Sequence, residues 1–198
     1  VMAALDAGKH VLCEKPMALN VQQAREMYQR AEQTGVVHMI DHEFRFVPAR
    51  ARMKELIDEG YLGHIQTVHI TQFVYHKTFA PDKTWGWLDQ KEKGGGVFGA
   101  LGSHFVDAFR YWFGDITAVS GQLETLVKQR MCPDTHQLRN VDTDQAFVFM
   151  ARFANGALGA AIVNTVAPQG GGAHIEAYGS EGGLVIGADG KLRGGRKG

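Results

Sequence analysis

Two side chains in this sequence stand where proton exchange and charge could be brought to bear on a ligand: Lys15 and His104. Lys15 sits in Glu14-Lys15-Pro16, directly after the short apolar run His10-Val11-Leu12-Cys13. If that run is a strand, the tripeptide closes its C-terminal end, where open α/β sheets place their ligands. Pro16 restricts the Lys15 backbone to extended conformations, so the ammonium can be aimed at a fixed point. Taken alone, the tripeptide reads equally as solvated surface before a turn. His104 follows the run Gly94-Gly95-Gly96-Val97-Phe98-Gly99-Ala100-Leu101-Gly102-Ser103 and falls in the first turn of an expected helix. Its imidazole titrates near neutral pH; a core or capping histidine is the plain alternative. Asp107, one turn on, reads as an acid favoured near a helix N-terminus.

The glycine run invites a phosphate-binding reading, which fails on context. It lies in the β-rich half, without the preceding strand–turn and the later acidic residue of a dinucleotide fingerprint. The glycines are read instead as letting backbone approach a ligand closely. None of the nine histidines falls in HExxH or in a Cys/His metal spacing, so no metal site is expected. The segment Tyr75 to Trp87, with His76 and Trp85, is aromatic and loop-like, suited to stacking on a sugar ring, to core packing or to a mobile lid.

The elements that must carry these residues alternate at first. Val1 to Ala7 reads as a helix already in progress, stopped at Gly8. The apolar run before Glu14 is of buried-strand type. Asn20 and Gln23 form a capping box for a helix whose Val21, Ala24, Met27, Tyr28 and Ala31 face a core, with Gly35 as its stop. Val36 to Ile40 is the next strand, and this rhythm is that of a parallel sheet. A helix from Pro48 carries Ala49, Met53, Leu56 and Ile57 to Gly60. Beyond it, strands dominate: 65–76, then 145–154 and 157–166 joined at Asn155-Gly156, then 173–178 and 184–186. One helix after Ser103 interrupts them, with Phe105, Val106, Phe109, Trp112 and Phe113 on its apolar face. Val68, Ile70 and Val74 are expected on the helix-free face of the sheet. Lys191, Arg193, Arg196 and Lys197 among glycines read as a frayed, solvated end.

At 198 residues, 44% hydrophobic and 21% charged, the chain suits a globular protein rather than a disordered one. Its 21 basic and 21 acidic residues leave no electrostatic footprint for nucleic acid or an anionic membrane. No apolar run is long enough to span a bilayer. Two cysteines without CxxC spacing make a reducing, cytoplasmic setting the default.

Taken in order, these segments resemble the Gfo/Idh/MocA (glucose–fructose oxidoreductase / inositol dehydrogenase) family. Ala4 to Pro16 is similar to its helix–strand–Glu-Lys-Pro signature, and His42-Glu43-Phe44-Arg45-Phe46 with Pro48 to its crossing between domains. The glycine run through Gly102, His104 and Asp107 resembles its substrate-site motif. Asp144, the strand to Phe153, Asn155-Gly156-Ala157 and Tyr178-Gly179-Ser180-Glu181-Gly182 resemble its sheet. The resemblance implies residues 1–46 as the C-terminal remnant of a Rossmann domain whose front end is missing. Residues 47–198 would form an α+β domain with a large, mostly antiparallel open sheet and helices on one face.

It further implies a dehydrogenase moving a hydride between NAD or NADP and a hydroxyl-bearing carbon of a sugar, cyclitol or related polyol. The rivals are an NAD-dependent glycosidase working by transient oxidation and a non-catalytic binding or regulatory member of the fold. Lys15 and His104 are the implied catalytic residues, His104 as general base. Glu14, Lys15 and Pro16 would meet the cofactor, and Lys15, Arg45 and His104 the substrate. A homodimer or homotetramer through the sheet is expected, and the 198 residues alone are expected to be inactive. One position departs from the family pattern: Ala100 stands where an aspartate usually precedes the histidine by four residues.

Overall fold

The computed structural model describes residues 1–198. Its first part is a small layer of α1 (Met2–Asp6), β1 (Val11–Glu14), α2 (Val21–Thr34) and β2 (His38–Asp41), with β1 and β2 parallel in the register Glu14↔Asp41. Asn20 caps α2 by accepting the Gln23 N–H at 2.9 Å. The reciprocal arm of the capping box is displaced by one residue, since Gln23 accepts from Leu19 N–H at 3.2 Å. Gly35 closes α2 at φ +63°, a conformation glycine adopts without a Cβ penalty.

Two expectations about this layer fail for one reason. The run before Glu14 is expected as a buried strand, and Val21 and Tyr28 as core-facing, yet within these 198 residues Leu12 is 65% exposed, Val21 75% and Tyr28 55%. Two strands and two helices bury only the surface between them, here around Leu5 and Ala31.

A 3-10 turn, Glu43–Phe46, then leads into α3 (Pro48–Asp58). A seven-stranded sheet follows. Its strands are β3 (Ile65–Phe73), β4 (Ile116–Glu124), β7 (Ala146–Phe153), β8 (Leu158–Asn164), β9 (Gly172–Gly179), β10 (Gly182–Ile186) and β11 (Leu192–Arg196). Their spatial order is β11-β10-β9-β3-β8-β7-β4, antiparallel except for the parallel pair β3–β8. A two-stranded ribbon, β5 (Gln129–Met131) with β6 (Leu138–Asn140), stands apart.

One face of the sheet carries α4 (Ser103–Phe113), whose Phe105, Phe109 and Phe113 pack on Phe147, Phe149 and Phe153, with Trp112 in the same core. Phe109 meets Phe149 and Phe153 edge-on with ring centroids 5.6 and 5.7 Å apart, a favoured aromatic geometry. Strict alternation along β7 keeps every second residue in this core.

Val68 and Ile70 belong to that core, each 1% exposed, which corrects their placement on the helix-free face. A period-2 pattern names two faces but not which one a helix covers. The open face carries Phe73, Val148, Met150, Leu158 and Ile162 instead. The basic, glycine-rich end is also corrected: β11 pairs with β10 along its whole length. Without side chains at Gly194 and Gly195, its ladder is held by backbone hydrogen bonds that no apolar pattern announces. At the β7–β8 hairpin only Gly156 takes a positive φ, and Asn155 accepts the Ala157 N–H at 3.0 Å.

Candidate active site

The parallel pairing of β1 with β2 determines what meets at their C-terminal ends. With Glu14 opposite Asp41, the chain leaves both strands side by side, so Lys15 and the segment His42–Arg45 emerge together. The Lys15–Pro16 peptide is cis, and Glu14 and Pro16 are exposed. Lys15 is half-buried, and its ammonium donates to the Ala100 carbonyl at 2.9 Å.

Ala100 lies in a π-helical turn, Phe98–Gly102, that runs directly into α4. The glycine run is therefore largely helical, and it follows a 3-10 turn, Lys91–Lys93, rather than a strand. Asp144 fastens the start of the turn by accepting the Phe98 N–H at 2.7 Å. Burial pushes the Asp144 carboxyl up, against the pull of neighbouring backbone N–H groups. Two glycines permit the close packing around this turn. A Cβ on Gly96, at φ +104°, would lie 2.4 Å from Asp144 Oδ1, and one on Gly95 would lie 2.4 Å from the Leu88 carbonyl oxygen. At these positions the glycines admit the chain's own groups, not the ligand they were read as admitting.

His104 enters α4 one turn beyond Ala100 and is 1% exposed. Neither ring nitrogen has a hydrogen-bond partner, an unusual state for buried polar atoms. Phe44 stacks on the ring with centroids 4.0 Å apart, and His42 meets it edge-on at 5.6 Å. The Arg50 guanidinium lies 4.4 Å from the centre of the Phe44 ring. Glu43 Oε1 stands 3.6 Å from His104 Nε2. Burial and then the charge of Lys15 push the imidazole down from 6.5 to about 4, with Glu43 pulling the other way. Burial likewise lowers Arg50 to about 10.

Arg45 turns to α4. Its Nε and Nη2 donate to the two Asp107 oxygens at 2.8 and 2.5 Å, and its guanidinium lies 4.4 Å from the Tyr111 ring centre. Asp107 thus falls outside the first turn of α4 and serves as Arg45's partner, which replaces the helix-dipole reading. A cavity of about 550 Å³ opens here, bordered by Pro16, His42, Arg45, Ser103 and Asp107. A second, of about 540 Å³, lies against Pro16, Ser103, Lys91, Asp142 and Asp144. His104 lines neither.

The structure thus brings Lys15 and His104 to one place, with Arg45 beside it facing Asp107. Glu43, Phe44 and Arg50 were missed as neighbours of His104. The available signal was positional: residues directly after parallel strands converge. The aromatic segment is not a free lid. Arg130 pairs with Asp89 at 2.9 Å and donates to the Phe79 and Ala80 carbonyls, while Lys83 meets Asp89 at 2.7 Å. Trp85 donates to the Asn140 carbonyl at 3.1 Å. Trp87 is 57% exposed and borders a smaller cavity with Pro16 and Leu19.

Residues 1–42 match a family model described as an oxidoreductase family with an NAD-binding Rossmann fold. Residues 51–185 match the GFO/IDH/MocA C-terminal domain. An uncharacterized oxidoreductase of Synechocystis is 37% identical over 94% of this chain and 50% of its own length. Levoglucosan dehydrogenase of Pseudarthrobacter phenanthrenivorans is 32% identical over 93% of this chain and 51% of its own. The solved structure of a levoglucosan dehydrogenase with NADH and levoglucosan superposes with a TM-score of 0.87 at 29% identity, over all of this chain and 57% of that one. The chain spans about half the length of the curated relatives it matches. With both models placed in order along a fold of this kind, the chain belongs to the GFO/IDH/MocA oxidoreductase family.

Proposed function

We propose that this chain carries the substrate side of a dehydrogenase that oxidises a hydroxyl of a sugar, cyclitol or related polyol with NAD or NADP. The observation that carries this reading is the buried His104 ring, with both nitrogens unpartnered beside the Lys15 ammonium. Such atoms are costly unless a ligand completes them. The names and bound ligands of the relatives, levoglucosan and NADH among them, support the substrate class and the cofactor.

Each residue has a distinct task. When bound, the nicotinamide supplies the acceptor for the hydride. Glu14, Lys15 and Pro16, at the end of β1, would border it. Lys15 spends one of its three N–H donors on Ala100 and keeps the others to orient the substrate hydroxyl. His104 is neutral at pH 7 and accepts the hydroxyl proton. Arg45 commits two donors to Asp107 and offers the rest to the adjoining cavity. We place the boundary between cofactor and substrate units at residue 46. The apolar open face of the sheet suits self-association as a homodimer or homotetramer.

In the intact protein, inositols and anhydrosugars offered with NAD+ or NADP+ should yield reduced nicotinamide. His104→Ala should lower kcat about a hundred- to ten-thousand-fold per folded molecule. Near-wild-type turnover by a folded His104→Ala protein would overturn the assignment.

A further inference from the structure

His104 poses a problem that its own burial creates. A proton taken up by a ring 1% exposed must leave again before the next turnover, and neither ring nitrogen has a hydrogen-bond partner within the chain. The charged and titratable groups acting on it come from three places. Lys15 reaches it from the loop after β1, His42 and Glu43 from the crossing segment, and Arg50 from α3. Glu43 is the one acid among these four. Its Oε1 is 3.6 Å from His104 Nε2, too long for a hydrogen bond and close enough for a small side-chain rotation to form one. The Glu43 side chain as a whole is 52% exposed. It therefore spans from the sealed imidazole to bulk solvent.

We propose that Glu43 is a positioning and proton-exit residue for His104: its carboxylate orients the ring, stabilises its charged form and carries the proton from it to solvent. The inference rests on the reading of His104 as the proton acceptor. In the forward direction, the substrate C–H bond breaks and its electron pair passes with hydrogen to the oxidised nicotinamide. The O–H bond breaks and its proton passes to His104 Nε2, leaving a carbonyl. The imidazolium then releases a proton from Nε2 to the Glu43 carboxylate, which releases it to water. Both groups end as they began, and each turnover yields one reduced nicotinamide and one proton in solution.

The charge balance at the ring supports this. Lys15, His42 and Arg50 all disfavour the imidazolium, and Glu43 alone favours it.

The test uses the intact enzyme, with whichever member of the inositol and anhydrosugar panel it oxidises fastest as the probe. Glu43→Gln keeps the shape and removes the charge. It should lower kcat about tenfold or more, with KM little changed, since only proton transfer is affected. It should also move the acid limb of the pH–kcat profile to lower pH by about one unit, because His104 loses its attractive charge. Glu43→Asp retains the carboxylate and should recover most of both effects. The melting temperature should not move, because the side chain is half in solvent. A Glu43→Gln enzyme whose kcat and pH profile coincide with wild type overturns the inference. His104→Ala measured in parallel separates the two levels. If it abolishes turnover while Glu43→Gln does nothing, only the role of Glu43 falls. If it leaves turnover intact, the underlying reading falls with it.

Discussion

The Lys15 ammonium and the Ala100 carbonyl, 85 residues apart, are joined by a 2.9 Å hydrogen bond that fastens the end of β1 to the turn feeding α4. This bond holds a full positive charge near His104, where it is the second cause, after burial, of the lowered imidazole. Lys15→Met should therefore raise the His104 pKa above about 4 while leaving it below 6.5, because the larger cause remains. NMR titration of the His104 ring reads this directly. An unchanged or lower value would show that the ammonium does not act on the ring.

The same histidine sets a pH dependence of stability. Folded His104 binds its proton only near pH 4, whereas the unfolded residue does so near 6.5. Between these values the unfolded chain holds more protons, so stability falls as pH drops from 6.5 towards 4 and this contribution levels off below. At 1.36 kcal/mol per unit, the loss amounts to about 3 kcal/mol at most. Asp144, with its carboxyl pushed up by burial, has the opposite slope in acid, favouring the fold as pH falls. The difference between wild type and His104→Asn in urea melts across pH 4–7 isolates the histidine. Parallel curves for the two proteins would refute it.

Arg45 and Asp107 form the other long-range tie, between the crossing segment and α4. Asp107 is 12% exposed and Arg45 39%, so solvent screens part of the pair. Asp107→Asn should cost about 1–2 kcal/mol, a fall in Tm of about 2–8 °C for a chain of this size. Arg45→Lys, which cannot match both carboxylate oxygens, should lose much of the same amount. Differential scanning calorimetry of both variants measures this, and unchanged melting would remove the pair from the forces holding the segment.

On the open face of the sheet, Met150 is 59% exposed and Ile162 41%. If that face joins two copies, Met150→Glu with Ile162→Glu should halve the mass seen by light scattering of the intact protein, with its circular dichroism preserved. An unchanged mass would place the interface elsewhere.

Much of the architecture was legible because it follows from local chemistry. Asn20 and Gly35 bracket α2, Pro48 opens α3, and Asn155-Gly156 turns the β7–β8 hairpin, each by backbone preference or a side-chain bond within a few residues. The apolar face of α4 was plain from its spacing. What escaped depends on partners distant in sequence. The side of the sheet that Val68 and Ile70 face is set by where α4 lands, and the β11 strand exists because β10 offers it an edge. The proposed site divides in the same way. Lys15 and His104 stood out by residue type and context, whereas Glu43, Phe44 and Arg50 look like ordinary linker and helix residues until β1 and β2 pair.

The short segment from His42 to Arg50 has a consequence for anyone recombining this protein with its relatives. It stacks Phe44 on His104, sets Glu43 beside it and locks Arg45 to Asp107, all on a helix that begins more than fifty residues later. A chimera spliced between residues 46 and 47 would respect the apparent seam yet take those three residues from one parent and α4 from the other. Grafts that preserve function should therefore move residues 42–50 together with α4, treating the linker as part of the cargo rather than as the joint.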